Sequence, residues 1–400
     1  MTRRRRAPAA RRRLVRRRRR LLRTVFVLAV AVTLLVLRVT GSFGTTSDTT
    51  ATSARRHPPV HRTRHNQQPT PTTNGAPSPY LTPGSNPAVL PTSILIADHM
   101  NNRLLIVNPE GRITWEFPEP GDLAPGQTFL VPDDAFFTPN GKEIVVTEED
   151  DDVISVIDIA THHIVWRYGT PGTPGSGPNQ LSNPDDAMML PNGDIITADI
   201  KNCRVLILKP GLQTPLQSFG SPTEGCFHDP PAHWGSPNGA FPMRDGHYLV
   251  TEINGDWADV LGLNGQVSMA THPPGVSYPS DTNEVSPGVY LTVDYSDPGQ
   301  IETFNSQGQL LWRFKPSGAQ AMNMPSLALP LPNGDILCND DYNHRVIVVD
   351  PTTNTIVWQY GHTGQAGTSP GYLNDPDGVD LLPPYSLDVV HAATMGLPSS

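Results

Sequence analysis

Carboxylates recur at one repeated position of this sequence, and carboxylates that meet in space can bind a hard cation or share protons. The position follows a proline in the pattern Pro-x-x-(Ala/Val/Thr), which occurs six times at spacings of 42 to 53 residues. The prolines are Pro132, Pro184, Pro237, Pro279, Pro325 and Pro376. The polar residues that follow them, our candidate ligand-binding residues, are Asp133, Asp134, Asp185, Asp186, Asn238, Asp281 and Asp377.

Three interpretations of these residues stay open. Asp and Asn often cap turns, where they accept hydrogen bonds from backbone amides. Alternatively, carboxylates around a channel form a Ca²⁺ site. Its candidate ligands are Asp133, Asp185, Asp281 and Asp377, with Asn238 beside them. The third interpretation is a catalytic acid–base pair among the same residues, although no spacing selects one.

A second candidate group lies in the segment CFHDPPAHWGSPNG. His228, Asp229 and His233 could bind zinc or another transition metal, because imidazole and carboxylate are ligands of such ions. No H-x₃-H or H-E-x-x-H spacing supports this hypothesis, and an isolated surface histidine is the alternative. The acidic run EEDDD, from Glu148 to Asp152, is predicted to be a solvated loop.

The elements that position these residues are short strands. From about residue 90, β-rich runs alternate with Pro, Gly and Asn turns, and no long helical period appears. A repeat of 40 to 50 residues with four strands is typical of a β-propeller. The segment from Ile94 lacks the first strand of a repeat, and the segment from Asn374 contains only that strand. Joined, they complete a blade, which predicts an all-β, six-bladed propeller of four-stranded antiparallel blades, closed by the C-terminal strand.

The repeats resemble two propeller families over roughly residues 92–384. The segments IADHMNNRLLIV, TADIKNCRVLIL and CNDDYNHRVIVV resemble NHL repeats, with an Asp-loop-Asn-x-Arg pattern. The last strands, which contain Trp115, Trp166, Trp312 and Trp358, resemble PQQ-like repeats. We interpret these tryptophans, and Arg103, Arg204 and Arg345, as structural.

The resemblance implies the fold and leaves the function open, because such families include scaffolds, dehydrogenases, sulfotransferase-like enzymes and an amidating lyase. Larger PQQ enzymes have eight blades and an adjacent Cys–Cys pair, so we do not expect PQQ here. Cys203 and Cys226 are predicted on the same face of one blade, where they could form a disulfide outside the cytoplasm. Cys338 is predicted to be a buried apolar residue.

The N-terminal region predicts attachment to a membrane. Residues 1–23 are an arginine-rich, cytoplasmic segment, and residues 24–40 form a transmembrane helix or a signal segment. Cleavage of that segment, with secretion of the remainder, is the alternative to a single-pass anchor. Residues 41–89 are a Ser/Thr/Pro-rich linker predicted to be disordered, residues 90–384 the propeller, and residues 385–400 a tail.

The charge distribution limits the classes of partner that the chain can bind. Residues 1–40 hold 14 of the 29 basic residues and no acid, so the rest has 15 basic residues against 38 acidic ones, a net charge of −23. This balance argues against nucleic acid. We expect a monomeric, non-enzymatic propeller that presents an acidic face to a small molecule or protein outside the membrane. A cation-dependent enzyme at the central funnel, of lyase or sulfotransferase-like kind, and an envelope assembly scaffold are the alternatives.

Overall fold

The computed structural model of the protein describes residues 78–223 and 225–386, which form 24 short strands. In chain order the strands are β1 (Ile94–Asp98), β2 (Arg103–Val107), β3 (Ile113–Phe117), β4 (Ala135–Phe137), β5 (Glu143–Glu148), β6 (Val153–Asp158), β7 (His163–Gly169), β8 (Pro184–Met189), β9 (Ile195–Asp199), β10 (Arg204–Leu208), β11 (Gln217–Gly220), β12 (Pro237–Pro242), β13 (Tyr248–Glu252), β14 (Trp257–Leu261), β15 (Val267–Thr271), β16 (Pro279–Ser286), β17 (Val289–Asp294), β18 (Gln300–Asn305), β19 (Leu310–Phe314), β20 (Ala328–Pro330), β21 (Ile336–Asp340), β22 (Arg345–Asp350), β23 (Thr355–Gly361) and β24 (Pro376–Leu381).

The strands form six four-stranded antiparallel sheets, the blades. From the inner to the outer strand, blade 1 is β24-β1-β2-β3, and blades 2 to 6 follow in chain order from β4 to β23. The inner strand of each blade contacts the inner strands of both neighbouring blades, so the six blades close into a ring. The predicted six-bladed β-propeller is therefore confirmed.

The C-terminal strand β24 closes the ring by pairing with β1. Ile94 faces Leu381 and Ile96 faces Val379 in an antiparallel register. The prediction of a composite blade from the two ends of the repeat region is thus confirmed. A ring closed in this way leaves no sheet edge between its first and last blades, which protects the inner strands from pairing with other chains.

Packing between blades explains the hydrophobic pattern of the strands. Strands in the middle of each blade are buried on both faces, and β2 is one example, with the sequence RLLIV. Outer strands consist mostly of half-buried and exposed residues, and tryptophans on two of them join one blade to the next. The indole N–H groups of Trp115 and Trp358 donate to the carbonyl oxygens of Ile159, at 3.1 Å, and Pro109, at 2.9 Å. These contacts agree with a structural role.

The turns between the second and third strands of the blades are built alike. Four of them contain a short 3₁₀ turn that ends in a residue with left-handed backbone, as at Asn102 and Asp152, where φ is 57° and 59°. Asn and Asp adopt this conformation more readily than most residues. The 3₁₀ turns of the described residues are Pro87–Val89, His99–Asn101, Glu149–Asp151, Ile200–Asn202, Gly318–Gln320 and Asp341–Asn343.

Ordered structure begins before residue 90, the predicted end of the linker. Leu81 is buried and forms an isolated bridge with Tyr360, and the amide of Asn86 donates to the carbonyl oxygen of Val357. Residues 78–89 therefore lie along the outer strand β23. The sequence did not predict this contact because the segment contains few apolar residues, of which Leu81 is the one that anchors it.

The described residues contain no helix with the length and hydropathy needed to cross a membrane. The predicted arginine segment, residues 1–23, and the predicted membrane segment, residues 24–40, both lie outside the described residues, as does most of the predicted linker.

Candidate functional site

The two residues that follow each marker proline form two rings around the centre of the propeller. The first ring takes one residue from each blade: Asp133, Asp185, Asn238, Ser280, Ser326 and Asp377. The second ring takes the next residue of each blade: Asp134, Asp186, Gly239, Asp281, Leu327 and Gly378. Inner strands pass through the ring side by side, so equivalent positions in different blades face the same axis.

Six carboxylates of these rings converge. Ligand atoms of Asp133, Asp134 and Asp185 lie within 4.8 Å of one another, as do those of Asp134, Asp186 and Asp281. A third such group joins Asp133 and Asp377 to His99 of the first 3₁₀ turn in blade 1. We call these seven residues the channel cluster. Because Asp281 comes from blade 5 and Asp134 from blade 2, their approach can occur only across the centre of the ring.

Asp186 and Asp281 are buried, and their carboxylates have few hydrogen-bond donors. Each residue is 1 % exposed, and neither carboxylate accepts a hydrogen bond of normal geometry from the described residues. The nearest donors are the amide of Ala240, beside Asp186, and the side chain of Asn238, beside Asp281, and they lower the two pKa values only in part. A buried carboxylate without donors is costly, so it must hold a proton or bind a cation.

The pKa values follow from this burial. Burial, and then repulsion by the neighbouring carboxylates, raises the pKa of Asp133, Asp134 and Asp186 well above the usual range. Asp185 is raised in the same way. The pKa of Asp281 rises to about 7, mainly through burial, while contacts with Asp186 and Asn238 oppose part of the rise.

Glycines leave the space that the carboxylates occupy. A Cβ atom at Gly239 would lie 2.7 Å from Oδ1 of Asp281 and 2.9 Å from Oδ2 of Asp186. At Gly378 it would lie 2.9 Å from Oδ1 of Asp134. Neither glycine was singled out from the sequence, although both follow directly on a candidate residue. Their position in the second ring was the signal that could have identified them.

Polar residues surround the cluster. His99 is buried, and its Nδ1 lies 3.0 Å from Oδ1 of Asp133 and 3.6 Å from Oδ2 of Asp377. Ser326 donates to Oδ1 of Asp341 at 3.2 Å, and burial, followed by repulsion from Asp377, raises the pKa of Asp341 well above the usual range.

Asn238 and Tyr278 complete the mouth of the channel. Asn238 donates to Oγ of Ser280 at 3.1 Å. These two neighbouring residues of the first ring are uncharged, and the hydrogen bond holds them together. Burial and then repulsion by Glu149 and Asp185 raise the pKa of Tyr278, so its hydroxyl stays protonated beside the acids. No pattern in the sequence singles out Tyr278, since an aromatic residue before a marker proline has no distinctive spacing.

The predicted histidine group does not assemble as expected. His228 lies against Glu252, while His233 stacks on Phe227 with ring centroids 4.5 Å apart. Among the described residues, the group of potential metal ligands that includes His228 contains Glu252 and Asp259 and neither Asp229 nor His233. Spacing in the sequence could not reveal these partners, because they come from strands of blade 4.

The acidic run EEDDD is largely buried, which corrects the prediction of a solvated loop. Glu148, Asp151 and Asp152 are each 5 % exposed or less. Glu148 ends strand β5 and pairs with Arg167 at 2.7 Å, and burial nevertheless raises its pKa to about 7. Glu148 can be buried inside the blade because the arginine of the outer strand compensates its charge.

A disulfide joins Cys203 and Cys226, whose Cα atoms are 5.0 Å apart at a sequence separation of 23. It ties the connection between blades 3 and 4 to the turn before β10. Cys338 is buried with a free thiol in β21. The connection held by the disulfide carries His228, only two residues after Cys226.

The fold and the channel cluster define this chain as a six-bladed β-propeller with a buried acidic centre. No protein-family model matches it, and no curated protein matches its sequence. Among solved structures, a protein of unknown function from Bacteroides caccae is 16% identical with a TM-score of 0.50, covering 72% of this chain and 98% of that one.

Two lyases show a weaker likeness. A streptogramin B lyase is 17% identical, with a TM-score of 0.48 over 72% of this chain and 83% of that one. Inactive virginiamycin B lyase from Staphylococcus aureus with quinupristin is 18% identical, with a TM-score of 0.46 over 67% and 79%. At these identities the likeness shows the fold alone.

Proposed function

We propose that this chain is a membrane-anchored, extracytoplasmic binding protein whose propeller holds a hard divalent cation, of the Ca²⁺ class, in the channel cluster. The observation that carries this proposal is the burial of Asp186 and Asp281 with four carboxylate oxygens that accept no hydrogen bond of normal geometry from the described residues. Buried polar atoms in folded proteins nearly always have partners, so an unmet group of this kind points to a bound ion or to protons.

The donor set favours Ca²⁺ over other metal ions. Asp134, Asp186 and Asp281 offer only oxygen, which suits hard cations, and Ca²⁺ accepts six to eight oxygen ligands in variable geometry. A divalent ion would neutralise two carboxylate charges in the space that Gly239 and Gly378 leave open. Asp133 and Asp185, which lie outside this ligand set, can stay protonated because burial and neighbouring carboxylates raise their pKa values.

The location rests on two features of the chain. The apolar segment 24–40 follows an arginine-rich stretch, as expected for an anchor whose basic end remains in the cytoplasm. The Cys203–Cys226 disulfide fits an oxidising compartment, where such bonds persist. Outside the membrane, the excess of acidic residues would attract cationic ligands to the mouth of the channel.

One experiment tests both parts of this proposal. Membranes of cells that produce the full-length chain are washed with alkaline carbonate, and the chain is extracted in detergent, treated with chelator and titrated with Ca²⁺ in a calorimeter. We expect the chain in the washed pellet and stoichiometric Ca²⁺ binding. Asp186→Asn and Asp281→Asn should each weaken binding on the order of tenfold, because each removes a charged ligand.

Asp229→Asn is the matched control, since it removes an exposed carboxylate that belongs to no described ligand group. Its Ca²⁺ affinity should equal that of the unaltered chain. Release of the chain by carbonate would contradict the anchor, and a chain that binds no Ca²⁺ would contradict the cation site.

A cation-dependent enzyme at the same cluster is the second candidate. His99 favours it, because its imidazole contacts Asp133 and Asp377 and could transfer a proton beside a bound cation. His99→Gln distinguishes the two functions. If the chain is a binding protein, the variant should bind Ca²⁺ with unchanged affinity. If the chain is an enzyme, substrate screening of the unaltered chain should find turnover, and the variant should lose it.

A further inference from the structure

Five blades neutralise a buried carboxylate with an arginine. In blades 1, 3 and 6 the arginine begins the third strand and pairs, at 2.7 Å, with the aspartate that ends the second strand. These pairs are Arg103–Asp98, Arg204–Asp199 and Arg345–Asp340. In blades 2 and 5 the arginine comes from the outer strand instead, and the pairs are Arg167–Glu148 and Arg313–Glu302, also at 2.7 Å.

Blade 4 has neither arginine. Trp257 faces Glu252 at the position where Arg103 faces Asp98 in blade 1. On the outer strand, Ala270 faces Asp259 in the register where Arg313 faces Glu302 in blade 5. The replacement of both arginines leaves blade 4 with two buried carboxylates and no guanidinium opposite them.

These two carboxylates are fully enclosed. Glu252 and Asp259 are both 0% exposed, and neither oxygen of Asp259 accepts a hydrogen bond from the described part of the chain. Oε2 of Glu252 accepts the amide of Gly235, which leaves its Oε1 directed at the neighbouring groups. Asp259 is therefore a buried carboxylate beside a second acid, and its oxygens accept no hydrogen bond of normal geometry from the described residues.

Within the described residues, His228 contacts both of these acids. Its Nδ1 lies 2.7 Å from Oε1 of Glu252 and 3.9 Å from Oδ2 of Asp259. The ring stacks on Trp257 with centroids 4.0 Å apart and an interplanar angle of 10°. The imidazole side chain is 23% exposed, so this group opens to solvent on the side of the connection that carries it.

We propose that His228, Glu252 and Asp259 form a second metal site, which binds a divalent transition metal ion of the Zn²⁺ class. Their ligand atoms lie within 4.8 Å of one another, which is close enough to meet at one ion. An imidazole nitrogen with two carboxylate oxygens is a ligand set that zinc accepts, with a fourth position left for water. The mixed set distinguishes this site from the oxygen-only group Asp134, Asp186 and Asp281 of the channel cluster.

The competing state is a shared proton. Burial, and then contact with Glu252, raises the pKa of Asp259 to about 10, so without metal the pair would hold a proton between the two carboxylates. The two states differ in what restores charge balance. An arginine at position 270 would satisfy the acids as it does in blades 2 and 5, and it would exclude a metal.

The test uses Co²⁺ as a spectroscopic substitute for zinc in the full-length chain, purified in detergent and stripped with chelator. We expect one equivalent of Co²⁺ with visible absorption bands of a nitrogen- and oxygen-ligated ion, displaced by Zn²⁺. Asp259→Asn and Ala270→Arg should each weaken Co²⁺ binding at least on the order of tenfold. Ala270 is exposed, so the arginine can be accommodated, and this variant should unfold at no lower temperature.

His233→Gln is the matched control, because His233 lies on the same connection but outside the ligand group. It should bind Co²⁺ with unchanged affinity, as should the channel variant Asp186→Asn. Co²⁺ binding that survives both Asp259→Asn and Ala270→Arg, or a folded chain that binds no Co²⁺, would overturn the proposal. Failure of the Ca²⁺ titration would leave this result intact, since the two sites share no residue.

Discussion

Asp186 and Asp281 differ in their neighbours from the buried acids that pair with an arginine. Asp340, for example, is also buried, but Nε of Arg345 lies 2.7 Å from it, and Asn343 donates a second hydrogen bond. Asp186 and Asp281 face further carboxylates instead. A structural acid is satisfied by the protein itself, whereas these two require something that the protein does not supply.

The raised pKa values predict how stability depends on pH. The pKa of Asp281 is about 7 in the folded chain, against about 4 when unfolded, and burial also raises the pKa values of Asp133, Asp134 and Asp186 well above the usual range. Between the unfolded and folded pKa values the folded state binds more protons, so stability falls as the pH rises. In chelator, the unfolding temperature should therefore decrease from pH 5 to pH 8.

Bound Ca²⁺ should reduce this decrease, because the ion stabilises the ionised carboxylates that high pH produces. Calorimetric scans at each pH, with and without Ca²⁺, measure the difference. Glu148 and Glu302, whose pKa values also rise to about 7, contribute the same slope under both conditions and so cancel. Equal slopes with and without Ca²⁺ would contradict the cation site.

Residue types and spacing predicted the channel cluster better than they predicted exposure. The acids after the marker prolines were expected to lie together. Ligand atoms of Asp134, Asp186 and Asp281 lie within 4.8 Å of one another, whereas the predicted Ca²⁺ ligands Asp133, Asp185, Asp281 and Asp377 do not form one such group among the described residues. Burial of the EEDDD run was not foreseen, because it depends on Arg167, which is distant in sequence and adjacent only through strand pairing. A charge pattern alone cannot show which acid has a partner across a blade.

Among the elements, the inner strands do the most to create the site. Each one begins at or just after a marker proline and delivers two consecutive residues to the channel, so a single repeat fixes where twelve side chains or glycines lie. The repeat can be recognised in the sequence because a proline ends each preceding connection and apolar residues follow it.

The closing strand predicts the effect of a truncation. A chain that ends at residue 373 lacks β24, so β1 loses its partner and blade 1 loses its inner strand. We expect its unfolding temperature to fall by more than about 10 °C, since a loss of several kcal/mol shifts a domain of this size by that amount. Scanning calorimetry measures the shift.

A chain that ends at Ser386 is the control for that truncation, because it retains all the described strands. It should unfold at the temperature of the full-length chain. If the chain without β24 matched this control, the ring would not depend on its closing strand.

In blade 4, strand pairing determines the partners of His228, and the sequence alone did not predict them. His228 was noticed for its proximity to Asp229 and His233, but its partners were set by the register of β13 and β14. The available signal was a departure from the repeat, in that Trp257 stands where three other blades have arginine. An alignment of the repeats, position by position, shows this missing arginine, whereas the spacing between the histidines does not.

At the scale of the whole molecule, the proposed anchor and the propeller carry opposite charge. Basic residues cluster in residues 1–40, and the remainder has a net charge of −23. The sequence predicted the fold class and its closure because both follow from the repeat, but no property of the whole chain identifies a ligand. The proposed cation gives the propeller a defined centre to which a ligand could bind.

The central claim is that the channel cluster holds a Ca²⁺ ion. Elemental mass spectrometry of the full-length chain, purified without chelator and dialysed against metal-free buffer, measures its calcium directly. We predict a stoichiometric calcium content that chelator removes, together with a fall in the unfolding temperature, and that Asp186→Asn reduces. A calcium-free chain whose unfolding temperature is unchanged by Ca²⁺ or chelator would contradict the claim and leave the cluster satisfied by protons alone.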